Sequence, residues 1–134
     1  MATLLVHITI KPGKEREFEE IARGMYRATH ADETGVRRYE YWRGAEERTY
    51  YTLESFDDYA GFLRHQASDH HEAPDFGAVI ESIRLEWVDP VGGAAPLVPT
   101  VAQEPPPDAS ERMRQYAVRQ ALEVQPWWSA LRDG

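Results

Sequence analysis

Three of the chain's five histidines, His65, His70 and His71, fall beside Asp69 and Asp75 in the stretch ESFDDYAGFLRHQASDHHEAPD, from Glu54 to Asp75. Imidazole titrates near neutral pH, so such a cluster can move protons, bind a metal or wall a polar cavity. In a regular helix the five residues from His65 to His70 turn the side chain through about 500°, a net separation of about 140°. The two then do not share a face, and His65 is the one expected to point inward. Asp69-His70-His71-Glu72 is polar on every side and reads as a surface turn. A metal could be held by His65 and Asp69 at i, i+4 together with His70 or Asp75, but no metal and no cofactor is expected here. Glu54 is expected to make a structural hydrogen bond at a strand end.

The elements around this stretch follow from periodicity. Leu4, Val6, Ile8 and Ile10 alternate with Leu5, His7 and Thr9, as in a strand buried on one face. Lys11-Pro12-Gly13-Lys14 ends it. From Glu15 the spacing of Phe18, Ile21, Ala22, Met25 and Thr29 is helical. After Thr34-Gly35, the segments Val36–Arg43 and Arg48–Phe56 are rich in aromatic and β-branched residues, with a hairpin link between them. A helix capped by Asp57 or Asp58 follows, then a helical piece from Phe76 to Ser82 and a strand from Ile83 to Val88. The order strand, helix, strand, strand, helix, strand predicts an α+β, ferredoxin-like βαββαβ unit with a four-stranded antiparallel sheet. Its far face, with aromatics and no helix, predicts a homodimer through sheet faces. His7 lies on that face.

Six of the nine prolines lie between Asp89 and Pro107, so 91–107 reads as a connector between a domain at 1–90 and a helical tail at 108–134. There Asp108 is expected to cap a helix from about Ser110 to Val124, ended by Pro126-Trp127-Trp128, in a tail of roughly 25 residues that docks on its own domain or on a neighbouring subunit. The two tryptophans read as hydrophobic anchors rather than a lid.

Composition narrows the classes. The chain of 134 residues carries a net charge of −8 and has no cysteine. Disulfides, thiolate nucleophiles and cysteine-bound zinc are excluded, and scattered basic residues among more numerous acids argue against nucleic acid. MATLLVHITI reads as a strand rather than a signal peptide. No apolar run approaches the ~20 residues of a membrane span, and a soluble, cytoplasmic protein is expected.

LLVHITIKPGKEREFEEIARG, TGVRRYEYWR and YYTLESFDDYAGFLRHQASDHH together resemble the antibiotic biosynthesis monooxygenase (ABM) family. The resemblance rests on the Lys11–Lys14 turn, Gly35, Glu54 with Phe56, and His65, Ser68 and His70, and covers roughly residues 3 to 90. It implies a dimeric α+β barrel. The haem-degrading branch of that family needs Asn, Trp and His where this chain has Val6, Phe56 and Asp75, and a carboxylate is a poor substitute for imidazole on haem iron.

The cofactor-free oxygenase branch implies a base that deprotonates an aromatic or enolisable substrate, hydrogen bonds to its oxygens, and an apolar pocket. On this resemblance His65 and His70 are the candidate bases. Tyr39, Tyr41, Tyr50 and Tyr51 would hold substrate oxygens, and Phe56, Phe62, Phe76 and Trp87, with Trp42, would line the pocket. The expected function is a monooxygenase acting on a small polyketide-like molecule in an internal cavity. The alternatives are a cyclase or isomerase that uses the same histidines without oxygen, and a non-catalytic binding protein whose tail is the working part.

Overall fold

The alternation of Leu4, Val6, Ile8 and Ile10 produces β1 (Ala2–Ile10), and because these side chains are buried this strand takes the middle of the sheet. In the computed structural model, which describes residues 1–132, β1 pairs antiparallel with β3 (Thr49–Phe56) on one side and β4 (Ile80–Val88) on the other. β2 (Val36–Arg43) pairs outside β3, giving the order β2-β3-β1-β4. α1 (Glu15–Asp32) and α2 (Tyr59–Ala67) cover one face, and the core forms where Phe18 and Ala22 of α1 and Phe62 and Leu63 of α2 meet Leu4, Val6 and Ile8. This is the α+β, ferredoxin-like sheet that the periodicity predicts.

Local chemistry fixes the joints. Gly35 enters β2 at φ +78°, a left-handed conformation that side chains disfavour, and a Cβ there would also stand 3.4 Å from Asp57 Oδ2. Asp57 N donates to Gly35 O at 2.8 Å, tying the start of β2 to the end of β3. Asp58 caps α2 by accepting from Gly61 N at 2.8 Å.

Three expected boundaries shift. The helical piece expected over Phe76–Ser82 is one 3-10 turn at Phe76–Ala78, and β4 starts at Ile80, because Ile80 pairs with Ile10 across a bulge at Glu81 of β4. The tail helix is capped by Ser110 rather than Asp108, its hydroxyl accepting from Met113 N at 3.1 Å. That helix, α4 (Glu111–Arg119), stops well short of Val124, and Pro126 opens a second one, α5 (Pro126–Arg132), instead of ending the first. Proline suits a first helical turn, where its missing N–H has no partner to lose. Positions 133 and 134 of the expected tail lie outside the described residues.

The tail docks on its own domain. Met113 and Ala109 join the core cluster, Tyr59 Oη donates to Gln120 O at 2.9 Å, and Trp87 Nε1 donates to Ala121 O at 2.8 Å. Gln66 Nε2 donates to Gln120 Oε1 at 2.6 Å. The connector lies along the sheet end, with Thr100 Oγ1 donating to Val88 O at 2.7 Å and Arg132 paired with Asp89. Among the described residues no helix is long and apolar enough to cross a membrane.

Removing the buried thioether of Met113 should therefore be felt by the whole domain. Met113→Ala is expected to lower unfolding free energy by about 2 kcal/mol, at the low end for a core truncation. Urea denaturation checks this, and a loss below about 0.5 kcal/mol, the range of surface substitutions, would mean that the tail adds nothing to stability.

Candidate functional site

The site begins with a helix that stops early. α2 ends at Ala67, and Ser68 takes the extended values φ −68° and ψ 153°. Ser68 serves both sides of this break. Its backbone N and its Oγ donate to His65 O at 3.2 and 2.7 Å, and its backbone O accepts from Glu72 N at 3.0 Å as the short α3 (Asp69–Glu72) begins. Serine is a good N-cap because its hydroxyl competes for backbone groups that a helix end leaves free.

The break cancels the 140° separation expected of a regular helix. His65 Nδ1 and His70 Nε2 both meet Glu33 Oε2, at 2.8 and 2.6 Å. Glu33 is the extended residue that ends α1, so its side chain leaves the helix axis and reaches toward α2 and α3. Burial pushes the Glu33 carboxyl up, but hydrogen bonds and charge from the two histidines outweigh it and hold the pKa below the usual value. His65 itself is fully buried, against Tyr39 and Phe56 with ring centroids at 4.8 and 5.5 Å.

Beyond these rings, between sheet and helices, lies a cavity of about 60 Å³, lined by Tyr39, Tyr41, Thr52, Glu54, His71 and Phe76 among others. Two of its polar atoms, Glu54 Oε2 and His71 Nδ1, are buried without a hydrogen-bond partner. Desolvation pushes Glu54 from 4.5 to about 7, with charge from His65 opposing the rise. Burial, with His65 and His70 nearby, pushes His71 down to about 3, so it is a neutral imidazole at ordinary pH. Tyr39 and Tyr41 share a 2.8 Å hydrogen bond between their hydroxyls, and burial raises both phenols far above neutral pH. The pair therefore keeps both protons, one in their mutual bond and one free to donate. A space of this size holds only a few atoms or waters.

A larger groove of about 680 Å³ adjoins it between α1 and the edge strand β2, and Phe18 and Tyr41 line both spaces. Tyr26, Trp42 and Tyr50 give the groove its aromatic floor. At its rim Arg43 forks onto Glu19 at 2.9 and 2.7 Å, and Tyr50 Oη donates to Glu19 at 2.6 Å. These bonds hold Glu19 down to about 2, while burial and the Glu19 hydrogen bond raise Tyr50 to about 12.

The expected site residues thus separate. Tyr39, Tyr41 and Phe76 line the cavity, and Tyr50 lines the groove. Tyr51 points to the opposite face of the sheet, edge-on to His7 at 5.4 Å, away from both spaces. Phe56 and Phe62 are fully buried, and Trp87 packs on Phe62 and Tyr59 under the tail. His65 and His70 meet at Glu33 and line neither space. Asp69 is exposed and 3.5 Å from Arg112, and Asp75 caps the 3-10 turn, so neither joins the histidines.

Three residues that sequence reasoning did not place in the site are central to it. Glu54 makes no bond through Oε2, contrary to the hydrogen bond expected of it. Its strand parity, shared with Tyr50 and Thr52, was the available signal. His71 turns inward with α3 instead of lying on a surface turn, and Glu33 carried no signal beyond its place at a helix end.

The sequence defines the class: the chain belongs to the antibiotic biosynthesis monooxygenase family, whose profile matches residues 1–73, just over half of its length. Among solved structures, a Caulobacter crescentus protein put forward as an antibiotic biosynthesis monooxygenase is 23% identical with a TM-score of 0.63, over 67% of this chain and 89% of its own. A Pseudomonas aeruginosa protein is 22% identical with a TM-score of 0.62, over 67% of this chain and 93% of its own. A Mycobacterium tuberculosis protein is 16% identical with a TM-score of 0.63, over 70% and 98%. At these identities the likeness carries the fold. No curated protein matches the chain.

The raised Glu54 carboxyl makes stability depend on pH with a definite sign. Between 4.5 and about 7 the folded chain holds a proton that the unfolded chain releases, so stability falls as pH rises through that window and the penalty is constant above it. The full penalty is about 3 kcal/mol. Glu54→Gln is expected to remove it, raising the urea midpoint at pH 8 relative to the parent while leaving pH 4 nearly unchanged. Equal gains at both pH values would show that Glu54 ionises normally in the fold.

Proposed function

We propose that this protein is a monooxygenase that needs no bound cofactor and acts on a small aromatic or enolisable, polyketide-like molecule. Membership of the ABM family supports the class. The observation that carries the reaction is the convergence, in one cavity, of a buried carboxyl with an unpartnered oxygen and a hydrogen-bonded pair of phenols. In this reading the ring lies in the outer groove, against Trp42 and Tyr50. Its reactive edge passes Phe18 and Tyr41 into the inner cavity.

Glu54 takes the acidic C–H or O–H proton, and the Tyr39–Tyr41 pair, one hydroxyl donating to the other, gives its remaining O–H to the oxygen on which negative charge collects. The resulting carbanion gives electrons to dioxygen and forms a C–O bond, and Glu54 returns its proton to the peroxide. Loss of a second C–H proton with cleavage of the O–O bond leaves a carbonyl and one water. His65 and His70, expected as bases, act here by positioning: they hold Glu33, and the His65 ring backs Tyr39.

Oxygen uptake with an anthrone-like dihydroxyaromatic tests this. One dioxygen should be consumed per product, with a rate that rises as pH increases through about 7, where Glu54 ionises. Glu54→Gln should lower the rate by about 10²–10⁴-fold, the usual contribution of a positioned base. Turnover without oxygen uptake would favour a cyclase or isomerase. Ligand binding without turnover, unchanged in Glu54→Gln, would favour a binding protein.

The reading includes a cytoplasmic homodimer joined through the open sheet faces, with no nucleic-acid or membrane partner. Supporting the dimer, Leu5, His7, Tyr51 and Leu53 are only half-buried on the face that carries no helix, and Trp42 is 59% exposed beside them. Light scattering should give twice the chain mass of 15.4 kDa. Leu53→Arg should give the single chain mass with unchanged circular dichroism, and a monomeric parent would overturn the assembly.

A further inference from the structure

We propose that Glu33, His65 and His70 form a binding site for one divalent first-row metal ion of the zinc class. One ligand atom from each lies within 4.8 Å of the others. The three come from separate elements, the end of α1, the last turn of α2 and the start of α3, and only the break at Ser68 brings the two histidines together. Two imidazoles and a carboxylate are a donor set that suits zinc or ferrous iron, and three protein ligands leave a position open for water.

Charge points the same way. The Glu33 carboxylate is largely buried, yet among the described residues its ion-pair partners are the two histidines alone, with no lysine or arginine. A buried anion needs a compensating cation or a full set of donors, and a metal ion would supply that charge at the point where both imidazoles already aim. Access exists from one side: the side chains of Glu33 and His70 are 12% and 21% exposed, whereas His65 is sealed. The contacts of 2.8 and 2.6 Å to Glu33 Oε2 would have to open by about half an ångström or slightly more, since tetrahedral zinc bonds of about 2.0–2.1 Å place donors about 3.3 Å apart. On binding, each imidazole must present its lone pair to the ion in place of its N–H.

None of the three residues lines the cavity or the groove, so the proposed oxygenation routes no step through the ion. The ion would instead join α1 to the α2–α3 break.

Equilibrium dialysis of the chelator-treated full chain against Zn²⁺, with Co²⁺ as a spectroscopic probe, tests the site. The expected result is one ion per chain, a tetrahedral cobalt spectrum, and a higher melting temperature with zinc. Glu33→Gln and His70→Ala should each weaken binding by more than the ~10–100-fold typical of losing a supporting residue, and should abolish the zinc-dependent rise in melting temperature. Asp69→Asn, whose carboxylate points to solvent, should leave binding unchanged. His70 is partly exposed, so its variant keeps the test open if a change at sealed His65 prevents folding. Absence of stoichiometric binding by the parent, or binding that survives both Glu33→Gln and His70→Ala, would overturn the proposal and leave the trio as a hydrogen-bonded clamp.

Discussion

The interruption of one helix at Ser68 is the constraint on which the rest of the site depends. Had α2 continued, His65 and His70 would face different ways and His71 would lie on a further side. With an extended residue inserted, His65 stays in the core, His70 returns to meet the same carboxylate, and His71 turns toward the cavity. A single hydroxyl stabilises the change because it can serve the helix it ends and the helix it starts. The ends of three helical segments then converge on Glu33, and the wall of Tyr39 and Phe56 rests on the result.

Behind that wall the site sorts its groups by protonation. Glu54 is desolvated without a fixed cation, so it holds its proton to near neutral pH, while Glu33, about which two imidazoles gather, is ionised. Two carboxylates in one region thereby acquire different roles, one able to exchange protons and one that organises its neighbours. The phenols between them are held neutral by the same burial, so the pair keeps an O–H to offer.

How much of this was legible in the sequence depends on the range of the interaction involved. β1 and α1 were readable because alternation and helical period record which side of each element meets the core. The βαββαβ order followed from short links, which leave few topologies open. The convergence at Glu33 was not readable, since it joins residues 32 and 37 apart through a break that periodicity treats as continuous helix. Glu54 looked like a strand-end carboxylate until the position of the helices showed that nothing meets its inner oxygen. The tail misled for a local reason: the apolar stripe from Met113 to Val124 suggested one helix, whereas the chain turns at Gln120 so that its backbone and side-chain oxygens can take hydrogen bonds from Tyr59 and Gln66.

The proline-rich connector between β4 and α4 has a consequence for the entropy of the fold. Arg132 meets Asp89 across 43 positions and Met1 reaches Pro99 across 98, so long loops close on contacts that are few and polar. Such closure is tolerable because its entropic penalty grows only with the logarithm of loop length. Six prolines reduce the burden further: each already has its φ fixed in the unfolded chain, so less freedom is lost when the segment is laid down. Each also lacks an N–H, so a strand-free segment can lie against the domain with few donors left to satisfy. The connector is thus a strap whose stiffness is present before folding begins.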